Sequence, residues 1–86
     1  KAGLRHLAQA LAREYGPRGI HVAHVVVDGV VNGDIVRNRF GDYLESLGDE
    51  GALEPDAIAD AFWALHTPHP SAWTQELALR PYKESW

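Results

Sequence analysis

Cysteine and methionine are both absent from the 86 residues of this chain. Without cysteine, the chain has no disulfide scaffold, no Cys-based zinc site and no thiol nucleophile. Basic residues are also scarce: 8 Lys and Arg stand against 12 Asp and Glu, the net charge is −4, and no basic run occurs. This balance disfavours a nucleic-acid interface. No run of about 18 apolar residues is present either, so we expect a soluble, cytoplasmic protein without a membrane span.

The first helix has no start signal. Residues 1–15 place Leu4, Leu7 and Leu11 on one face, as an amphipathic helix requires. No Ser, Thr, Asp or Asn precedes this pattern to cap the first amides, and the cation of Lys1 opposes the helix dipole. Together with the missing methionine, these features predict that the helix begins upstream of Lys1. We therefore interpret the chain as the C-terminal part of a longer protein.

A turn and a buried strand are predicted next. The helix is expected to end at Gly16-Pro17, with Gly16 in the left-handed conformation. Residues 20–27 then form an apolar, β-branched run without glycine or proline. Such near-continuous runs are typical of parallel strands covered on both faces. Helix, short turn and buried strand together indicate half of a βαβ unit.

The second half of the chain predicts further helices and one more strand. Residues 34–47 indicate one or two short helices interrupted at Gly41, and Pro55 suits the first position of another helix. Residues 73–79 alternate as a last strand. The order α-β-(short α)-α-β predicts two parallel strands with a right-handed crossover. Because two strands do not make a stable sheet alone, the apolar helix faces need a sheet that this chain does not contain.

Three stretches of the sequence carry a family resemblance. The first is the predicted helix, with Lys1-Ala2-Gly3-Leu4 and Leu11-Ala12-Arg13-Glu14-Tyr15-Gly16. The second is the loop Val27-Asp28-Gly29-Val30-Val31-Asn32-Gly33. The third is the predicted last helix and strand, with Glu54-Pro55-Asp56 and Trp73-Thr74-Gln75-Glu76-Leu77. In this order the chain resembles the C-terminal portion of the short-chain dehydrogenase/reductase family, starting at the lysine of its Tyr-x-x-x-Lys motif. The resemblance implies that residues 1–86 are the C-terminal segment of a single α/β domain, a doubly wound parallel sheet of the Rossmann type.

The resemblance also implies an activity, the transfer of a hydride between NAD or NADP and a carbonyl or alcohol substrate. Lys1 matches the family's catalytic lysine, which follows the acid/base tyrosine by four residues on one helix face. There the lysine lowers the pKa of the phenol and holds the nicotinamide ribose hydroxyls. The alternative is that Lys1 is a solvated helix residue. The tyrosine and the glycine-rich cofactor loop would lie upstream, so this segment alone would not catalyse the reaction.

The loop after the first strand is implied to bind the cofactor. Its residues Asp28, Gly29, Val30 and Val31 match the family loop at the carboxyl end of a strand, where ligands of open α/β sheets bind. The Val31 amide matches the group that holds the nicotinamide carboxamide. The chain departs from the family twice, because Asp28 replaces a proline and Gly33 replaces a threonine that contacts the cofactor phosphates. The alternative for Asp28-Gly29 is an ordinary turn.

Residues 34–47 match the family's mobile substrate lid. Phe40, Tyr43 and Leu44 would then supply apolar contacts to a bulky or apolar substrate. The alternative is that these three side chains pack the helix onto the rest of the protein.

Five histidines raise the possibility of a metal site. His21 and His24 are three positions apart on the predicted strand, so they should point to opposite faces. His66 and His69 flank a helix end and could approach each other. Surface and capping histidines are far commoner, and we expect no metal.

Association is the last expectation. Ala8 and Ala12 allow another helix to approach closely, and an aromatic tail follows the last strand at residues 80–86. In the resembled family these two elements form the usual subunit contacts, so a homo-oligomer is expected. The alternative function, of a different class, is a non-catalytic truncated α/β module for interaction or dimerisation.

Overall fold

The computed structural model describes residues 1–85 and has an α/β architecture. Its elements, in chain order, are α1 (Ala2–Tyr15), β1 (His24–Val27), α2 (Asp34–Leu47), α3 (Pro55–His66) and β2 (Glu76–Leu79), with 3₁₀ turns at Gly16–Arg18 and Pro70–Ala72. The predicted element order is confirmed. Membership of a doubly wound domain stays a prediction.

The two strands pair in parallel, as predicted. His24 lies opposite Glu76, and Val27 lies opposite Leu79. At the two ends of the ladder, the His24 amide donates to the Gln75 carbonyl (2.9 Å) and the Asp28 amide donates to the Leu79 carbonyl (2.8 Å). A parallel pair needs a long crossover, and α2 and α3 provide it.

Both strands are shorter than the sequence predicts, because strand pairing stops where the partner turns away. The 3₁₀ turn at Pro70–Ala72 leaves the residues before His24 without a partner strand. Side chains join the two segments there instead. The His21 ring stacks on Trp73 with centroids 4.6 Å apart and 6° between the planes, and its Nε2 donates to the Thr74 carbonyl over 2.7 Å.

The end of α1 corrects one expectation. Gly16 is right-handed, with φ −54° and ψ −47°, and the chain continues into the 3₁₀ turn. The left-handed residue is Gly19, with φ 83°, whose amide donates to the Gly16 carbonyl. The prediction of a left-handed Gly16 was wrong because Pro17, with its fixed φ, suits the first position of a further helical turn. Glycine has no Cβ to clash with the following proline ring.

Two helix predictions in the second half are confirmed. α2 contains a kink at Phe40, where φ is −133° and ψ is 35°, one residue before the predicted interruption at Gly41. α3 begins at Pro55 and is preceded by Glu54 in extended conformation. No helix within residues 1–85 combines the length and the apolar character that a bilayer crossing requires.

Residues 1–85 bury very little apolar surface. Ala8 and Leu65, each 8% exposed, form the apolar core of this part of the chain. The radius of gyration is 15.6 Å, whereas a compact chain of this length has about 12 Å. Many large apolar side chains stay exposed: Leu4, Leu7, Ile20, Val27, Ile35, Phe40, Tyr43, Phe62, Trp63 and Tyr82. A sheet of two strands therefore leaves the apolar faces of the helices exposed.

Candidate functional site

Lys1 lies at the mouth of a groove between α1 and β1. It occupies the position before the first helical residue, is exposed, and accepts a hydrogen bond from the Arg5 amide through its carbonyl (3.0 Å). The groove has a volume of about 470 Å³ and is lined by Lys1, Ala2, Leu4, Arg5, His6 and residues 24–27. Its lining combines apolar side chains with two cationic side chains and two imidazoles. The structure therefore brings the predicted catalytic lysine to the same groove as the end of β1.

One edge of β1, the strand that lines this groove, has no partner strand within residues 1–85. In a parallel ladder alternate residues direct their amides to one neighbour. The amides of His24 and Asp28 bond to the β2 side, so those of Val25 and Val27 face the opposite edge. In residues 1–85 the sheet has two strands, β1 and β2.

A pair of ionic contacts connects α1 to β2 beside this groove. The Arg5 Nε lies 2.8 Å from Glu76 Oε1, and the Arg5 Nη2 donates to Glu76 Oε2 over 2.9 Å. Both carboxylate oxygens are thus held by one guanidinium. No local sequence pattern indicates this pair, because its members are 71 positions apart. The available signal was Arg5 alone, one helical turn after Lys1.

The predicted cofactor loop follows the carboxyl end of β1. Asp28 is exposed, and its backbone amide is held by the ladder. Gly29 has φ 154°, and a Cβ at this position would lie 2.7 Å from Pro81 Cδ. Close packing of Pro81, directly after β2, therefore requires glycine here. Asp28-Gly29 follows β1 and packs on the residue that follows β2, and the choice between a cofactor loop and an ordinary turn stays a prediction.

The next two residues of the loop pair with the segment that precedes α3. The Leu53 amide donates to the Val30 carbonyl (2.6 Å), and the Asn32 amide donates to the Leu53 carbonyl (2.8 Å). These bonds form a parallel bridge between Val31 and Leu53. The residue in the middle of such a bridge directs its own amide to the other side. The Val31 N–H therefore points away from Leu53.

The predicted lid residues lie on different sides of α2. Leu44 lines a cleft of about 500 Å³ together with Asn32, Arg37 and Gly48. Phe40 and Tyr43 line a separate concavity with the polar residues around the kink, and they are 58% and 53% exposed. Substrate contact and helix packing both stay predictions for these two side chains. None of the three lines the groove that holds Lys1.

His21 is placed differently from the prediction, whereas His69 is a capping histidine, as expected. His21 precedes β1 and stacks on Trp73, so the argument from opposite strand faces was wrong for it. His69 Nδ1 accepts from the Ser71 amide at the 3₁₀ turn over 3.1 Å. Within residues 1–85, no three His, Cys, Asp or Glu side chains lie close enough to share a metal ion.

Comparison with known proteins gives no relative: no family model, no curated protein and no solved structure matches this chain. Membership of the short-chain dehydrogenase/reductase family therefore stays a proposal.

Proposed function

We propose that this chain is the C-terminal part of an NAD(P)-dependent oxidoreductase of the short-chain dehydrogenase/reductase type. The observation that carries the proposal is the groove shared by Lys1 and Val27, with the Asp28–Val31 loop directly after it. A cation beside the carboxyl end of a parallel strand suits a ligand at the edge of an open α/β sheet. The substrate class is a carbonyl or alcohol compound.

The donors beside the groove fit the polar groups of a nicotinamide cofactor in part. The Lys1 ammonium is exposed at the groove and suits ribose hydroxyls. The Val31 amide is directed away from its bridge with Leu53 and suits a carboxamide oxygen. Asp28 adds a carboxylate near this edge, and Gly33 offers no hydroxyl for the phosphates, so these two positions weaken the fit. The cofactor, when bound, donates or accepts the hydride at its nicotinamide ring.

Lys1 has two roles in this proposal. Its ammonium holds the ribose hydroxyls and so orients the cofactor. Its positive charge also favours the phenolate form of a tyrosine one helical turn upstream, which lowers the pKa of that phenol. The phenol then exchanges a proton with the substrate oxygen as the hydride moves.

The test is Lys1→Ala in the full-length protein, with turnover followed by nicotinamide absorbance against a panel of aldehydes, ketones and alcohols. Turnover should fall by about 10²–10⁴, the usual contribution of general acid–base catalysis. Lys83→Ala is the matched control, because Lys83 is the other lysine of the chain and lies in the exposed tail. Equal activity of the Lys1→Ala variant and the wild-type protein contradicts the proposal.

The second candidate is a non-catalytic α/β module. The exposed apolar faces of α1 and α3 favour it, as does the absence of a hydroxyl at Gly33. Titration of the full-length protein with NAD and NADP separates the two candidates. Saturable binding of either nucleotide supports the oxidoreductase, and no binding supports the module.

We also propose that the protein is a homo-oligomer. Leu4 and Leu7 on α1 and Phe62 and Trp63 on α3 are exposed in residues 1–85, and covering such surface is the main driving force for association. Of the tail, Tyr82 is exposed, and Trp86 lies outside the described residues. Sedimentation of the full-length protein at micromolar concentration should give a dimer or larger species. A stable monomer contradicts this proposal.

A further inference from the structure

The bidentate contact between Arg5 and Glu76 fixes an orientation more than it adds stability. The Arg5 side chain is 61% exposed and that of Glu76 is 31% exposed, and exposed ion pairs contribute little to the free energy of folding. A guanidinium that meets both carboxylate oxygens, at 2.8 and 2.9 Å, is nevertheless constrained in direction as well as distance. The pair therefore sets how α1 is rotated against the sheet.

The turn of α1 that this pair holds is the turn that follows Lys1. Arg5 stands four residues after Lys1, so both side chains lie on one helix face, and the Arg5 amide donates to the Lys1 carbonyl over 3.0 Å. Both residues line the groove beside β1. Glu76, which holds Arg5, is opposite His24 in the ladder. Contacts of Arg5 therefore connect Glu76, the first residue of β2, to the helical turn at Lys1.

We infer that Arg5 and Glu76 are positioning residues for Lys1: the carboxylate of Glu76 holds the Arg5 guanidinium, and Arg5 holds the first turn of α1 so that the Lys1 ammonium faces the groove. This inference rests on the proposed function, since it assigns the pair a role in the same site. Lys1 remains the catalytic residue, and neither Arg5 nor Glu76 touches the reacting atoms.

The pair also balances charge at the groove. Its charged and titratable side chains are Lys1, Arg5, His6 and His24, and Glu76 is the carboxylate that neutralises Arg5. Loss of Glu76 leaves an unpaired cation, which stabilises a phenolate and lowers the apparent pKa of a tyrosine acid/base. Loss of Arg5 leaves an unpaired anion and raises that apparent pKa. A tyrosine four residues before Lys1 would lie about 12 Å from Arg5 along the helix axis.

The experiment measures kcat, KM and the pH dependence of kcat/KM for Glu76→Gln and Arg5→Gln in the full-length protein, between pH 8 and 11, where ordinary histidines are neutral. Both variants should lose about tenfold to 100-fold in kcat, the scale of a misplaced catalytic group, while KM for substrate changes by less than about threefold. The apparent pKa should fall by about 0.3–1 unit in Glu76→Gln and rise by a similar amount in Arg5→Gln.

Two further variants separate positioning from a general structural role. The double variant Arg5→Gln/Glu76→Gln should return the apparent pKa to the wild-type value, because no unpaired charge remains, while kcat stays low. Glu14→Gln is the matched control: it makes the same charge change on α1, but about 26 Å along the helix axis from that tyrosine position, more than twice the distance of Arg5, and should leave kcat and the pH profile unchanged.

The outcomes also distinguish the inference from the function it rests on. If Lys1→Ala abolishes turnover while Glu76→Gln and Arg5→Gln keep wild-type kcat and pH profile, the proposed function stands and the inference is overturned. If both single variants lose thermal stability equally and the apparent pKa does not shift in opposite directions, the pair has a structural role and the inference is overturned. If Lys1→Ala keeps full turnover, both the function and the inference fall.

Discussion

Two regions of this chain, the two ends with β1 and β2 and the middle with α2 and α3, differ in how far apart along the sequence their stabilising contacts reach. In the first region, α1, β1 and β2 are joined by a parallel ladder, the Arg5–Glu76 contacts and the His21–Trp73 stack. In the second region, α2 and α3 are attached mainly through the bridge of Val31 with Leu53. Lys1 and the loop after β1 belong to the first region and the lid candidates to the second. The first region is therefore held by contacts between distant segments, whereas the second is attached more loosely.

The sharpest test of this contrast is amide hydrogen exchange on the full-length protein. The amides of Val25 and Val27 face the strand edge away from β2, whereas Phe40 lies at a helix kink on the surface. If the rest of the proposed domain covers this edge, Val25 and Val27 should exchange at least about 100-fold more slowly than Phe40, which corresponds to about 2.7 kcal/mol of opening free energy. Rapid exchange at Val25 and Val27 would show that the edge is open, against a doubly wound sheet.

A smaller effect is expected where the loop after β1 packs on the end of β2. Gly29→Ala places a Cβ 2.7 Å from Pro81 Cδ at a positive φ, so the free energy of unfolding should fall by about 1–3 kcal/mol. Chemical denaturation of the full-length protein measures it. Gly33→Ala is the control, because a Cβ there meets nothing within 4 Å, and it should change stability by less than about 0.5 kcal/mol. Equal effects of the two substitutions would show that Pro81 imposes no constraint.

The smallest change in stability is expected in the second region, at the lid candidates. Phe40→Ala and Tyr43→Ala should each alter the free energy of unfolding by less than about 0.5 kcal/mol and raise KM for an apolar substrate by about tenfold. Ile35→Ala is the control, since Ile35 also lies on α2 and is 71% exposed; its KM should stay at the wild-type value. A loss of about 2–5 kcal/mol in Phe40→Ala would instead identify a packed side chain and remove the contrast between the regions.

Local signals predicted most of the element order. The apolar spacing of residues 1–15 and the proline at position 55 act within one or two helical turns, and the structure has α1 and α3 there. The two strands are shorter than predicted because the length of each depends on a partner segment about 50 positions away. The handedness of Gly16 was predicted wrongly since Pro17 favoured a further turn, and the left-handed residue moved to Gly19.

The sequence indicated individual residues of the candidate site but not how these residues come together. Lys1 is indicated by a missing cap and by the resemblance, and Gly29 by its place in the loop that matches the family. The structure gives Gly29 a different reason, the contact with Pro81, which no local pattern could indicate. Whether Phe40, Tyr43 and Leu44 share one side of the lid was also beyond the sequence. Leu44 lines one cleft and Phe40 and Tyr43 line another, and the kink at Phe40 does not account for this division because Tyr43 and Leu44 both follow it.

The sequence by itself determined where the helices lie and which side chains are apolar, because capping, proline geometry and helical periodicity act over a few residues. The tertiary structure alone decided that Lys1 and the end of β1 share a groove, that Glu76 holds Arg5, and that Pro81 closes on Gly29. Each of these contacts joins segments about 25 to 70 positions apart. The contact of Pro81 with Gly29 follows from the parallel pairing of β1 with β2, which places the carboxyl ends of the two strands side by side.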